Sequence, residues 1–169
     1  LDFVPINIAI ITISDTRTIK DDTSGDTLEG RINESGHKMI KRTIIPDDVD
    51  KIKETLETMS SQKEIDCIIT TGGTGLTGRD TTPEAVKEIA SKHIDGFGEL
   101  FRQVSFDKIG TSAIQSRAVA ALINTTYVFC LPGSTGACKD GWDEILKYQL
   151  DIRHKPCNFV EIMPRLNEK

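Results

Sequence analysis

The sequence predicts an α/β protein with a mostly parallel central sheet and helices on both faces. Three observations predict it. Four apolar, β-branched runs of strand length recur along the 169 residues. Stretches with helical periodicity alternate with them. The loops that end the runs are rich in glycine, hydroxyls and acids, the chemistry found at the carboxyl ends of strands in such sheets. The length suits one domain, residues 1–169, with a polar tail from about residue 151.

Asn7–Ser14 is the first buried strand by composition and length. Ser14-Asp15-Thr16-Arg17 follow it, and in the polar stretch Lys20–Gly25 either Thr23 or Ser24 is expected to cap a helix over about Asp26–Ser35. Leu28 and Ile32 share one face of that helix, and Gly36 stops it. Lys38–Ile45 is the second strand. Val49, Ile52, Leu56 and Met59 form the stripe of the next helix. Asp48 reads as its cap, and capping is also the leading reading of Asp47 at this point.

Ile65–Thr70 is the third strand. The helix after its glycine loop starts with Thr82 as cap and Pro83 as first residue. Thr81 is a rival cap through its spacing to Glu84. The helix is expected from Glu84 to about His93, with His93 partly buried. Gly96-Phe97-Gly98 break the pattern, and Phe97, Leu100, Phe101 and Val104 make a short amphipathic turn or helix. Ser112–Ile123 reads as a helix. Thr126–Leu131 is the last buried strand, ending in Pro132-Gly133-Ser134-Thr135 before a helix over about Gly136–Leu150. Phe159–Met163 is expected as a short edge strand.

The formal charge of −5 argues against a general nucleic-acid or anionic-membrane surface. The apolar run Ile6–Ile13 is too short to span a bilayer. None of the four cysteines forms a CxxC pair, Cys67 and Cys130 read as buried thiols, and the three histidines fit no zinc spacing. A reducing cytoplasm is the default compartment.

The densest chemistry lies between the third strand and its helix. Thr71, Gly72, Gly73, Thr74 and Gly75 lead through Gly78 to Asp80. Strand, glycine loop and helix start form an arrangement that cradles phosphate, because the backbone can approach closely and its amides favour an anion. It is not a Walker A loop, since no Gly-Lys-Ser/Thr follows. Gly73, Gly75 and Gly78 match the dinucleotide spacing, but the helix begins after the glycines and no strand-end acid lies twenty residues on. A long turn needing left-handed backbone is the plain alternative. The loops after the first, third and last strands would gather amides, hydroxyls and two or three carboxylates in one crevice; Pro46-Asp47 ends a fourth strand, whose end a mixed sheet could send to the opposite side. Carboxylates repel phosphates unless a divalent cation stands between them, so the pattern points to Mg²⁺-dependent chemistry on a nucleotide. No serine–histidine–acid order or convincing thiol nucleophile is present, and phosphoryl or nucleotidyl transfer needs neither.

The motifs fall in the order of one known family. Thr71-Gly72-Gly73-Thr74-Gly75, Arg79-Asp80 and Thr82-Pro83-Glu84 resemble the signature of the molybdenum cofactor biosynthesis domain. Ser14-Asp15, Asp22-Thr23-Ser24-Gly25, Ile45-Pro46-Asp47, Gly96-Phe97-Gly98-Glu99, Ser116-Arg117 and Leu131-Pro132-Gly133-Ser134 fit it too. The resemblance covers roughly Ile6 to Phe159, and the ending Arg153–Phe159 resembles the B-type branch. It implies a three-layer α/β/α fold, a cytoplasmic location and a homotrimer or homohexamer. It also implies adenylyl transfer from ATP to molybdopterin, with Mg²⁺, releasing pyrophosphate. Asp47 and Asp80 would be the catalytic, metal-handling acids. Gly72–Gly75 with Thr71 would cradle phosphates, Pro132, Gly133 and Ser134 would line the adenine side, and Ser14 and Asp15 would face the pterin. Two other readings of the same fold stay open: a molybdopterin-binding protein without turnover, and a different nucleotide-cleaving activity such as a pyrophosphatase.

Overall fold

The computed structural model describes residues 1–169. Six strands form one sheet in the order β2-β1-β3-β6-β5-β4. They are β1 Asn7–Ile13, β2 Lys38–Ile45, β3 Cys67–Thr71, β4 Lys92–His93, β5 Val119–Ile123 and β6 Thr126–Leu131. The helices are α1 Thr23–Glu34, α2 Val49–Ser60, α3 Thr82–Ile89, α4 Asp95–Ile109 and α5 Thr135–Gly141. The first four strands in spatial order are parallel; β5 runs antiparallel to β6, and β4 antiparallel to β5.

Strand side chains alternate between faces, and the core divides accordingly. Ile8 and Ile10 of β1 pack with Leu28 and Ile32 of α1, Phe97 and Phe101 of α4, and Cys138 of α5. Ala9, Ile11 and Ile13 pack with Ile52, Leu56 and Met59 of α2 and Ala85 and Val86 of α3. The result is the expected α/β/α sandwich. Cys67 and Cys130 are buried free thiols, and burial pushes the Cys130 thiol up to about 12. No helix is long and apolar enough to cross a membrane.

Several elements differ from expectation. Helix α1 starts at Thr23 because Asp22 is its cap, accepting the Gly25 N–H at 3.0 Å. That carboxylate is fully buried and also accepts from the Thr12 hydroxyl and Arg42. Asp48 caps α2 as expected. Thr82 lies inside α3, where its hydroxyl donates to the Gly72 carbonyl instead of capping. Helix α3 ends at Ile89, and exposed His93 joins the sheet edge in β4. Gly96-Phe97-Gly98 lie within α4 rather than breaking it. A Cβ on Gly98 would stand 2.5 Å from the Ala118 carbonyl, so glycine lets α4 approach the sheet.

The segment Ser112–Ile123 is not a helix. A 3-10 turn over Gly110–Gln115 leads into β5, which forms a hairpin with β6 through Asn124-Thr125. Asn124 takes the left-handed backbone (φ 55) that asparagine tolerates. After α5 the helix continues through a π turn, Trp142–Leu146, to Gln149, and Phe159–Ile162 is a helical turn, not a strand.

Candidate functional site

From β1 the chain passes outward on one side to β2, then returns to β3 on the other. That reversal opens a crevice outside the carboxyl ends of β1 and β3. The crevice is a cleft of about 650 Å³, lined by Ser14, Asp15, Asp47, Thr71–Gly75, Asp80 and Pro132–Ser134, among others. All the sequence-predicted site residues are brought together there. Its size falls in the usual range for small-molecule sites.

The glycine loop forms one wall. Gly72 and Gly73 have φ of +108° and +71°, which L side chains rarely adopt. Their close neighbours explain the choice again. A Cβ on Gly72 would stand 2.2 Å from the Ile13 carbonyl, and one on Gly73 would stand 2.3 Å from the Thr82 hydroxyl and 3.2 Å from the Asp47 carboxylate. Thr71 is buried and donates its hydroxyl to the Pro132 carbonyl at 2.9 Å, bracing one loop on the next. Thr74 is buried as well.

Two of the three acids, Asp15 and Asp47, are linked by a hydrogen bond. Asp47 follows β2, whose parallel pairing with β1 brings it to the crevice. It is 8% exposed, and its Oδ1 accepts from the N–H and hydroxyl of Thr81 at 3.4 and 3.3 Å. Its own N–H donates to Asp15 Oδ1 at 3.0 Å. Asp15 Oδ2 accepts from Nε and Nη2 of Arg79 at 3.0 and 2.8 Å. Asp80 Oδ2 accepts from the N–H and hydroxyl of Thr77, both at 2.9 Å. Asp47 and Asp80 therefore each engage one carboxylate oxygen with the protein and keep the other.

Burial pushes the Asp47 carboxyl up; the Thr81 bonds oppose this, and the Asp80 and Asp15 charges add to it. The Asp47 N–H and then Arg79 hold Asp15 below the usual carboxylate range. Capping plays no part in Asp47's bonding, since Asp48 caps α2.

The opposite rim is built by Ser14, Arg17 and the loop after β6. Ser14 Oγ accepts the Thr16 and Arg17 N–H groups. Ser24 Oγ donates to the Gly133 carbonyl at 2.9 Å, and Arg17 reaches both residues. Ser134 caps α5 by accepting the Ala137 N–H.

Sequence reading missed a further wall: Phe101, Ser105 and Ile109 of α4, with Gln115 and Ser116. Because β5 runs antiparallel to its parallel neighbours, the residues just before it lie at their carboxyl ends. The signal was present as two apolar runs separated by Asn124-Thr125, a hairpin pattern.

Fold and site together define an α/β protein with a switch-point crevice, where a glycine loop faces paired acids. The chain belongs to the molybdopterin-binding domain family: the family model described as "Probable molybdopterin binding domain" matches residues 9–152. Molybdenum cofactor biosynthesis protein B of Escherichia coli (strain K12) is 42% identical over 158 residues, covering 94% of this chain and 93% of that protein. A crystal structure of a molybdenum cofactor biosynthesis protein B superposes with a TM-score of 0.88 at 36% identity, covering 98% of both chains. The tungsten cofactor synthesizing protein MoaB from Pyrococcus furiosus gives a TM-score of 0.75 at 32% identity, over 84% of this chain and 91% of that one.

Proposed function

We propose that this protein acts in molybdenum cofactor biosynthesis, binding molybdopterin and transferring an adenylyl group to it from ATP. One observation carries the reading: Asp47 and Asp80 flank a single glycine loop in one cleft, each with a carboxylate oxygen left for a ligand.

No cluster of three or more His, Cys, Asp or Glu side chains forms a metal cage here. The donor set fits Mg²⁺, which takes one or two carboxylates and completes its shell with water and substrate phosphates. Asp80 and Asp47 would hold it. Bound there, it would neutralise phosphate charge and let two anions approach.

The chain's own residues supply the rest. Backbone amides of Gly73–Gly75 receive phosphate oxygens, the Gly72 N–H being held by the Leu131 carbonyl at 3.0 Å, and Pro132, Gly133 and Ser134 border the adenosine. Ser14 and Asp15 border the pterin. The pterin's terminal phosphate oxygen attacks the α-phosphorus of ATP. A P–O bond forms, the α–β bridging P–O bond breaks, and its electron pair leaves with pyrophosphate. A phosphate already ionised at neutral pH needs no general base, which accords with the absence of a histidine from the cleft lining.

The homotrimer or homohexamer that the family resemblance implies would need an exposed apolar contact, and the surface offers one. Phe106, Ile109 and Ile114 are 57%, 57% and 83% exposed on α4 and the turn that follows. Ile114→Glu should lower the mass measured by light scattering; an unchanged assembly would refute this contact.

The function is tested with purified protein, Mg·ATP and molybdopterin, following adenylylated pterin and pyrophosphate. Product from the wild type and none from Asp80→Ala supports the reading. Pterin binding without product would replace it with a non-catalytic binding protein. Pyrophosphate released without pterin would replace it with another nucleotide-cleaving activity.

A further inference from the structure

One residue fastens both ends of the glycine loop, and nothing in the proposed chemistry uses it. Arg117 lies between the 3-10 turn and β5. Its backbone N–H donates to the Thr74 carbonyl at 3.1 Å. Its Nε donates to the Gly75 carbonyl at 2.8 Å and its Nη2 to the Asp80 carbonyl at 3.0 Å. Its Nη1 pairs with the Glu84 carboxylate in the first turn of α3. Thr74 and Gly75 immediately precede the exposed part of the loop, residues 76–79; Asp80 and Glu84 lead into the helix. Arg117 therefore closes the loop into a ring, with the Asp80 carboxylate folded inward onto Thr77.

The bond to Asp80 also reaches Asp47. In a trans peptide, C=O and N–H point in opposite directions. The Asp80–Thr81 peptide accepts from Arg117 through its carbonyl and donates to Asp47 Oδ1 through the Thr81 N–H. One peptide plane thus stands between the guanidinium and the buried acid. Turning that plane would move the Asp80 backbone and withdraw a donor from Asp47 together. A planar guanidinium can hold two carbonyls and a carboxylate at fixed angles; a lysine ammonium is a point charge on a flexible stem and cannot.

We infer that Arg117 is a positioning residue for both acids, setting the loop in the one geometry that receives a divalent cation complexed to a nucleoside triphosphate. The inference rests on the metal–nucleotide reading above. Outer partners of metal-holding carboxylates are worth about 10–100-fold in metal affinity.

The test measures ATP binding by calorimetry, with Mg²⁺ and with EDTA, for the wild type, Arg117→Ala and Arg117→Lys, alongside thermal melting. Arg117→Ala should lose about 10–100-fold in Mg·ATP affinity while metal-free ATP binding falls far less. Arg117→Lys should recover part of the loss. Unchanged Mg·ATP affinity in Arg117→Ala overturns the inference. Equal losses with and without Mg²⁺ also overturn it, by assigning Arg117 a general folding role. If Arg117→Ala does not fold, Arg117→Lys carries the comparison under the same criteria. A wild type that binds ATP no better with Mg²⁺ than without it removes the metal reading itself. That failure is visible before any variant is examined.

Discussion

Gly72→Ala puts the glycine loop to a quantitative test. Two costs combine at this position. An L side chain in left-handed backbone costs about 1–2 kcal/mol, and Gly72 has φ +108°. The added Cβ would also stand 2.2 Å from the Ile13 carbonyl, a backbone atom at the end of β1. Ordinary contact needs more than a further ångström, so the end of β1 or the loop must shift. Overpacking of this kind costs about 1–3 kcal/mol. Reduced freedom of the unfolded chain returns about 0.4–1 kcal/mol. The net loss is about 1–5 kcal/mol, and at about 2–4 °C per kcal/mol the melting temperature should fall by about 2–20 °C. Gly78→Ala is the control in the same loop: its backbone φ is ordinary and its Cβ would meet nothing within 4 Å. With only the unfolded-chain gain of about 0.4–1 kcal/mol acting, it should melt about 1–4 °C above the wild type. The assay is calorimetric melting of the three proteins at one concentration. Equal melting temperatures for Gly72→Ala and wild type would refute the claim that the Ile13 contact and the backbone angle demand glycine.

Asp47→Asn should abolish adenylyl transfer yet raise the melting temperature at pH 7. Burial and the two neighbouring carboxylates raise the pKa of Asp47 in the folded state. Its charge therefore costs stability once pH rises through that folded value, and the variant's advantage should vanish near pH 3, where the wild-type carboxyl is protonated. Burial lowers the pKa of His37, whose Nδ1 accepts the Ile6 N–H at 3.2 Å, though Asp151 opposes the shift. The stability it lends is present above about pH 6.5 and should decline on acidification below it, a slope that urea unfolding of His37→Asn should lack. Arg42→Met should destabilise the protein in urea unfolding by less than the roughly 3–5 kcal/mol of a wholly unpaired buried charge, because the fully buried Asp22 loses its nearer cation and keeps only Arg17 at 3.8 Å.

Much of the architecture was legible because the parallel strands announce themselves. Strands β1, β3 and β6 are near-continuous apolar or β-branched runs, β2 ends in Thr43-Ile44-Ile45, and the helices between them carry clear stripes or caps. The loops after β1, β3 and β6 could then be assigned to one crevice, while a mixed sheet could have sent the Asp47 end of β2 to the opposite side; Asp15, Asp47, Asp80 and Gly133 all meet there. What was not legible depends on partners distant in sequence. Asp22 outcompetes Thr23 and Ser24 as a cap because Thr12 and Arg42 converge on its carboxylate. Thr82 gives its hydroxyl to Gly72 rather than to its own helix.

The reading of Ser112–Ile123 as a helix had the largest functional consequence, and the cause is physical. Alanine-rich Arg117–Ile123 has the composition of a good helix, and periodicity alone does not separate a short buried strand from a buried helical segment. The Asn124-Thr125 turn and pairing with β6 decide for strand. That choice fixes direction as well as type. A helix there would have made β6 one more parallel strand in a simple alternation and given Ser116 and Arg117 no set place. An antiparallel β5 delivers its first residues to the carboxyl ends of β3 and β6, beside Thr74 and Gly75. Arg117 can then bond the loop, and Ser116 can line the cleft. The site is therefore more than the sum of loops after parallel strands. One reversed strand supplies the wall opposite the acids and the cation that holds the loop bearing Asp80.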